Sequence, residues 1–575
     1  MSRVFLVVLL LLTSEQIIAQ AIYDRDARFH PVLAPKHRGM VVSQDELASQ
    51  VGADILAAGG NAVDAAVATG FALAVTFPQA GNLGGGGFML VYLAEEDKAL
   101  ALDYREMAPQ SFHADMFIRP DGSVDTRSKR FGVNSAGVPG TVAGLLLAQE
   151  QWGRLSREQI LAPAIQLADS GFRVSDSLAY SLKRAAGRFQ TDQTRAYFLG
   201  EDFAGRDPGE LWVQADLANT LKTISDRGVE GFYSGKTAEL VVDQIKRLGG
   251  TMTLADLAGY EAIVREPVRG NYRGYGIASM PPPSSGGVHL VQMLNILENT
   301  DLQTLEHNSS SYLHLLVEAM KPAYADRSRH LGDPSFVQVP VNRLISKDYA
   351  AEVWARIDPR QTRPSEDISP FSSVLEESSD TTHFSVWDTE GNVVSNTYTL
   401  NFSYGNGIAV AGAGFLLNNE MDDFSARPGD ANAYELIGSE ANSIEPGKRP
   451  LSSMTPTIVF KDGKPFMATG SPGGSRIITT VLQSVLNVVD HSMNAAEAVS
   501  VPRIHHQWQP DQIYWESGIS VDTRHAMENL GHHFDGRPRT FAKLEVILKT
   551  ESGLQGASDP RWPKSGAVVE PEPAP

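Results

Sequence analysis

At residue 381 the sequence changes character within one step. Gln361 to Asp380 is polar, carries Pro364 and Pro370, and ends in a Ser/Glu cluster, Glu376-Glu377-Ser378-Ser379-Asp380. Such a stretch reads as an exposed loop. Thr381-Thr382-His383-Phe384-Ser385-Val386-Trp387 then has the β-branched and aromatic composition of a strand. Asp388 to Asn392 is a turn, and Val393 to Leu400 is strand-like again. A turn this short limits the register of the two strands to within a residue or two. If it centres on Glu390, Thr381 faces Thr399, with Cβ atoms ~4.5–5.5 Å apart. Two threonines are also simply a good cross-strand pair, so the hairpin alone assigns them no chemistry.

A second hairpin follows the same logic. Thr457 to Phe460 and Pro465 to Thr469 are strands around the turn Lys461-Asp462-Gly463-Lys464. Gly470-Ser471-Pro472-Gly473-Gly474-Ser475 comes next. A helix starts near Arg476, with Ile477, Ile478, Val481, Leu482, Val485, Leu486, Val488 and Val489 at helical spacing. A Gly-Gly pair ahead of a helix presents free N–H groups to an anion, aided by the helix dipole. No Lys-Ser or Lys-Thr follows, which argues against a nucleotide loop; a glycine turn for tight packing explains the pair equally well. Gly84 to Gly87 are four successive glycines ahead of a strand, which suggests close backbone packing beside a site. Ala62 to Phe77 reads as a buried helix with Asn61 at its N-cap. His505-His506 is not expected to hold a metal, since adjacent strand residues point to opposite faces.

The rest of the chain alternates helical and strand-like segments without internal repeat, a mixed α/β pattern. Its 575 residues correspond to about four domains at ~150 residues each. There are no cysteines, which excludes disulfides, thiolate metal sites and a Cys nucleophile. Lys plus Arg is 49 and Asp plus Glu is 68, a net charge of −19. That balance argues against nucleic acid or an anionic membrane as the main partner. At the N-terminus, Met1-Ser2-Arg3 is positive, Val4 to Leu12 is apolar, and Ala19-Gln20-Ala21 fits a small-x-small cleavage site. This reads as a signal peptide over residues 1–21, the alternative being an N-terminal anchor. Gly566 to Pro575, rich in Pro and Glu, is expected to be disordered.

Several motifs occur in a fixed order: Asp380-Thr381-Thr382-His383-Phe384-Ser385, Asn418-Asn419-Glu420-Met421-Asp422-Asp423-Phe424, Pro450-Leu451-Ser452-Ser453-Met454 and Thr469-Gly470-Ser471-Pro472-Gly473-Gly474. With Gly81 to Phe88, Tyr104 to Pro109, Pro282 to Gly287 and Gly556 to Arg561, they closely resemble the γ-glutamyltranspeptidases, the glutathione hydrolases. The resemblance implies an α+β fold, a four-layer αββα sandwich of the N-terminal-nucleophile hydrolase type. It implies a precursor that cuts itself between Asp380 and Thr381 into a large fragment, 22–380, and a small one, 381–575, which stay paired as a heterodimer. It implies Thr381 as nucleophile, Thr399 orienting its hydroxyl, and Gly473 and Gly474 as oxyanion donors. Arg105, Ser452 and Ser453 would hold the α-carboxylate of a γ-glutamyl group, and Asn401, Glu420 and Asp423 its α-ammonium. Tyr434, in the Ala431 to Arg449 loop, would gate the pocket.

The chemistry fits the residue types. A threonine hydroxyl needs a base, and cleavage would give Thr381 an α-amine of reference pKa ~7.7–8.0. The expected substrates are glutathione and other γ-glutamyl compounds, the acceptors water, amino acids or dipeptides, with no cofactor, no metal and a periplasmic or secreted location. The rivals are a cephalosporin or glutaryl acylase on the same fold and a binding protein without activity.

Overall fold

The computed structural model describes residues 30–368, 381–427, 429, 432–433, 435–540 and 542–572. The expected signal peptide, Asp380 with most of the polar loop before it, and Tyr434 lie outside the described residues.

The residues on either side of position 381 build one sheet together. Its strand order is Gly566–Val569, Met40–Ser43, Thr381–Trp387, Val393–Thr399, Gly86–Leu93, Lys98–Tyr104 and Ile263–Arg265. The second sheet runs Val32–Pro35, Gly553–Ser558, Glu545–Thr550, Lys464–Gly470, Thr457–Lys461, Tyr275–Ser279 and Val268–Tyr272. All pairings within both sheets are antiparallel. Both sheets therefore mix strands from before and after residue 381, and cutting the chain there leaves no separable sheet. The length-based expectation of about four domains is not met, because the two sheets share their buried faces.

Period-two alternation explains the layering. Met89 and Val91 point with Val41, Leu100 and Leu102 into a core shared with the helices Glu46–Ala57, Ala62–Thr76 and Thr141–Trp152. Their neighbours Phe88, Leu90 and Tyr92 point the other way, into the core between the sheets. Helices Gly286–Leu297, Ile477–Val489 and Ala495–Ser500 cover the far side of the second sheet, and Ser310–His330 packs on the first of these. The result is the αββα order.

The sequence-level expectations for individual elements are largely met. Asn61 caps Ala62–Thr76 in a capping box with Asp64. The helix near Arg476 begins with a 3₁₀ turn at Gly474–Arg476 and becomes α-helical at Ile477. The tail differs. Gly566–Val569 is a strand paired with Met40–Ser43, and the Glu570 carboxylate accepts from Gly39 N–H at 2.6 Å. The Pro/Glu composition of the last residues obscures four small apolar residues that fit the open edge of a sheet.

The Gly556 to Arg561 motif has a structural role here. Asp559 accepts from Arg503 at 2.7 Å and from Arg561 at 3.0 Å, and Glu516 accepts from Arg503 at 3.0 Å. This buried ion cluster ties the last strands to the Ile504 region.

Candidate functional site

The Thr381–Trp387 and Val393–Thr399 hairpin has the register expected from its turn: Thr381 is the direct partner of Thr399. One face carries Thr381, His383 and Ser385 against Thr399, Thr397 and Ser395, and it looks toward the second sheet. His383 Nδ1 meets Thr397 Oγ1 at 2.8 Å and its Nε2 meets Ser385 Oγ at 3.0 Å, while Ser395 Oγ donates to the Thr469 carbonyl at 3.0 Å. A Cβ on Gly470 would lie 2.3 Å from His383 Cε1, so this strand end admits only glycine. The opposite face, with Phe384 and Val386, is apolar and faces the helices.

At the open end of this polar ladder, Thr381 Oγ1 donates to Thr399 Oγ1 at 3.3 Å, a long contact, and Thr399 Oγ1 accepts the Asn401 N–H at 2.9 Å. The Thr399 carbonyl is held by Asn82 Nδ2 at 2.9 Å. The glycine run packs here as expected: a Cβ on Gly85 would fall 2.0 Å from the Thr399 carbonyl oxygen.

Thr381 and Thr399 open onto a cavity also lined by Arg105, Arg327, Asn401, Glu420, Asp423, Leu436, Ser452, Ser453 and Gly474. The structure thus brings together eight of the expected residues around Thr381. Gly473 adjoins Gly474 at the turn, with φ of 136° and 57° respectively, and their N–H groups bond no protein acceptor among the described residues. Each residue is placed by a fixed local device. Arg105 follows directly on the Lys98–Tyr104 strand, and its carbonyl accepts from Tyr260 Oη at 2.8 Å. Asn418 Oδ1 accepts the Glu420 N–H at 3.0 Å, and the Asn419 carbonyl accepts from Asn401 Nδ2 at 2.9 Å. The Pro282 to Gly287 motif anchors the serine pair: Ser285 Oγ donates to the Ser452 carbonyl at 2.7 Å and Ser284 Oγ to that of Met454 at 2.6 Å.

The cavity is closed on itself electrostatically. Arg105 donates one guanidinium nitrogen to Glu420 and the other to Asp423 Oδ2, and Glu106 lies 3.6 Å away. Arg105 is 1% exposed. Burial opposes its charge, and Glu420, Asp423 and Glu106 more than restore it. The carboxyls are all pushed up by burial, with Arg105 pulling back: Glu106 to about 7, Glu420 well above the usual range, Asp423 also upward. The space left is about 20 Å³, room for about one water. Arg105 and the two acids, expected at opposite ends of the ligand, are ion-pair partners in the structure.

Asp422, between them in the motif, faces away and takes Lys129 Nζ at 3.4 Å. Arg327 was not singled out from sequence. The histidine pair is used internally: His505 bonds Thr479 Oγ1 and Gln507 Oε1, both at 2.8 Å, and His506 bonds Asp511 at 3.1 Å. His314, Glu318 and His532 converge within 4.8 Å, but Lys321 Nζ sits 2.5 Å from Glu318 and already supplies that cluster's cation.

Against known proteins, the γ-glutamyltranspeptidase family model matches residues 48–569. The chain belongs to the γ-glutamyltranspeptidase family. It is 48% identical over 535 residues to the glutathione hydrolase proenzyme of Escherichia coli (strain K12), covering 93% of this chain and 92% of the relative. Among solved structures, cephalosporin acylase from Bacillus halodurans superimposes with a TM-score of 0.81 at 27% identity, covering 94% of this chain and 96% of that one. γ-Glutamyltranspeptidase from Helicobacter pylori gives 0.58 at 45% identity, covering 59% of this transpeptidase-family chain and 97% of its own. Together these neighbours fix the fold as that of N-terminal-nucleophile hydrolases.

Proposed function

We propose that the γ-glutamyl hydrolase/transferase activity of this family runs in this chain through Thr381 as an N-terminal nucleophile. The observation that carries the reading is the Thr381–Thr399 hydroxyl contact opening on a cavity with two guanidinium groups, two carboxylates and two serines. A γ-glutamyl group has an α-carboxylate and an α-ammonium, and that cavity offers partners of both signs.

Maturation comes first. The Thr381 hydroxyl attacks the Asp380 carbonyl, the acyl group moves from nitrogen to oxygen, and water hydrolyses the ester. The products are a large fragment ending at Asp380 and a small one beginning at Thr381, which remain together because both sheets need strands from each. In turnover the freed α-amine of Thr381 takes the hydroxyl proton as the oxygen attacks the γ-carbonyl. The oxyanion forms against Gly473 and Gly474, a term often among the largest in acyl transfer. Collapse breaks the amide C–N bond, and the proton passes to the leaving amine. Water or an acceptor amine then attacks the Thr381 ester.

Substrate binding exchanges partners. The α-ammonium takes Glu420 and Asp423 with the Asn401 amide oxygen, and so releases Arg105. Arg105, Ser452 and Ser453 take the α-carboxylate. Both charges of the zwitterion are matched, and no charge in the pocket is stranded. Tyr434 as a gate is part of the same reading, as is a periplasmic location with the signal peptide removed. No helix among the described residues is long and apolar enough to cross a membrane.

The test is release of p-nitroaniline from γ-glutamyl p-nitroanilide by purified protein. Turnover should rise when a dipeptide acceptor is added, with γ-glutamyl dipeptide as product. Absence of turnover in fully processed protein would remove the γ-glutamyl assignment.

A further inference from the structure

A second guanidinium enters the cavity, and none of the sequence motifs marks it. Arg327 lies near the end of the Ser310–His330 helix and is 4% exposed. Its Nε donates to Ser285 Oγ at 3.0 Å and its Nη2 to Ser453 Oγ at 3.1 Å. Both partners are neutral. No carboxylate among the described residues forms an ion pair with it, whereas Arg105 has three. Buried charges ordinarily sit in ion pairs, so this one marks a place suited to an anion. Burial lowers its pKa to about 10, with Asp423 pulling it up and Arg105 pushing it down.

The hydroxyl geometry points the same way. Ser453 Oγ accepts from Arg327, so its own proton remains to be donated, and it has no acceptor among the described residues. Ser453 lines the cavity, and its proton is left for a ligand. Ser285 relays the same restraint: it accepts from Arg327 and donates to the Ser452 carbonyl. Arg327 therefore supplies charge at one end of the pocket and fixes the donor that faces it.

We propose that Arg327 is a specificity-determining residue for the α-carboxylate, acting through its charge and through the Ser453 hydroxyl it orients. The assignment rests on the γ-glutamyl reading above. Arg105 is shared with the acids, so it answers to both ends of the zwitterion. Arg327 answers to the carboxylate end alone. An otherwise identical ligand without the carboxylate would bring only a positive charge to a pocket that already holds two.

The experiment compares γ-glutamyl p-nitroanilide with 4-aminobutyryl p-nitroanilide, which has the same amide and amine but no α-carboxylate. Wild type, Arg327→Gln and Arg327→Lys are measured as processed enzymes. Arg327→Gln should lose roughly 10²-fold or more in kcat/KM on the γ-glutamyl substrate, the scale for removing one member of a buried charge contact. The loss should appear mainly in KM, and 4-aminobutyryl anilide should lose much less. Arg327→Lys should recover part of the preference, because it keeps the charge and loses the planar fork. Competition by free glutamate and free 4-aminobutyrate reads the same preference without turnover. If Arg327→Gln does not fold, a reduced glutamate preference in Arg327→Lys carries the test. Equal losses on both substrates would make Arg327 a structural brace, and unchanged preference would remove it from recognition; either overturns the proposal. A wild type that does not distinguish the two substrates would instead sink the α-carboxylate site as a whole.

Discussion

Thr381→Ala yields one uncut chain with no measurable turnover. The substitution removes the hydroxyl that points at Thr399 Oγ1 from 3.3 Å and leaves the strand intact, since alanine fits a buried position in the hairpin. Maturation and turnover use the same oxygen, so both stop together. Loss of a nucleophilic hydroxyl costs on the order of 10⁶ in kcat. The serines lining the cavity cannot substitute, because Ser452 and Ser453 are tied to the loop at Pro283 and Ser285 and to Arg327. Thr381→Ser keeps the hydroxyl and should still cut and turn over, more slowly. A denaturing gel reads the outcome: one band for alanine, two for serine and wild type. Two fragments in purified, protease-free Thr381→Ala would sink self-processing.

The second large effect separates a γ-glutamyl enzyme from a glutaryl acylase. A glutaryl group has the carboxylate but not the α-ammonium. To bind it, Arg105 must leave Glu420 and Asp423, and nothing arrives to replace it. Two buried carboxylates would then be stranded, which is costly. Wild type should therefore prefer γ-glutamyl over glutaryl anilide by ~10⁴ or more in kcat/KM, the range for a site built around a polar partner. Asp423→Ala removes one stranded charge and one ammonium acceptor, so the gap should narrow from both sides. Arg105→Ala should weaken both substrates, since both carry a carboxylate. Equal kcat/KM for the two anilides on wild type would transfer the assignment to the acylase reading.

Much of the site was legible because short-range rules fixed it. A tight turn at Glu390 leaves little freedom in register, so Thr381 and Thr399 could be paired on paper. The glycine run announced close approach at Gly85, whereas the Gly473-Gly474 pair fitted a packing turn equally well and drew its expected role from the family resemblance. What was hidden depends on contacts between distant segments. Arg105 meets Glu420 across 315 positions of sequence, and no local pattern says that the acids pair with it. Arg327 sits in Asp326-Arg327-Ser328-Arg329, a run that looks like a solvated helix face. Only the packing of Ser310–His330 on Gly286–Leu297 turns that residue inward, toward Ser285 and Ser453. The strand at Gly566–Val569 was missed because its edge partner, Met40–Ser43, lies at the other end of the chain.

In the proposed reaction the γ-glutamyl group is carried on the new N-terminal residue of the small fragment. Intact-mass spectrometry of enzyme mixed with γ-glutamyl p-nitroanilide and quenched in acid tests it most directly. Two polypeptides are expected, the smaller beginning at Thr381, with only that one gaining the mass of a single glutamyl group, localised to its first residue. A glutamyl label on the large fragment, or turnover by a chain still continuous through position 381, would contradict it.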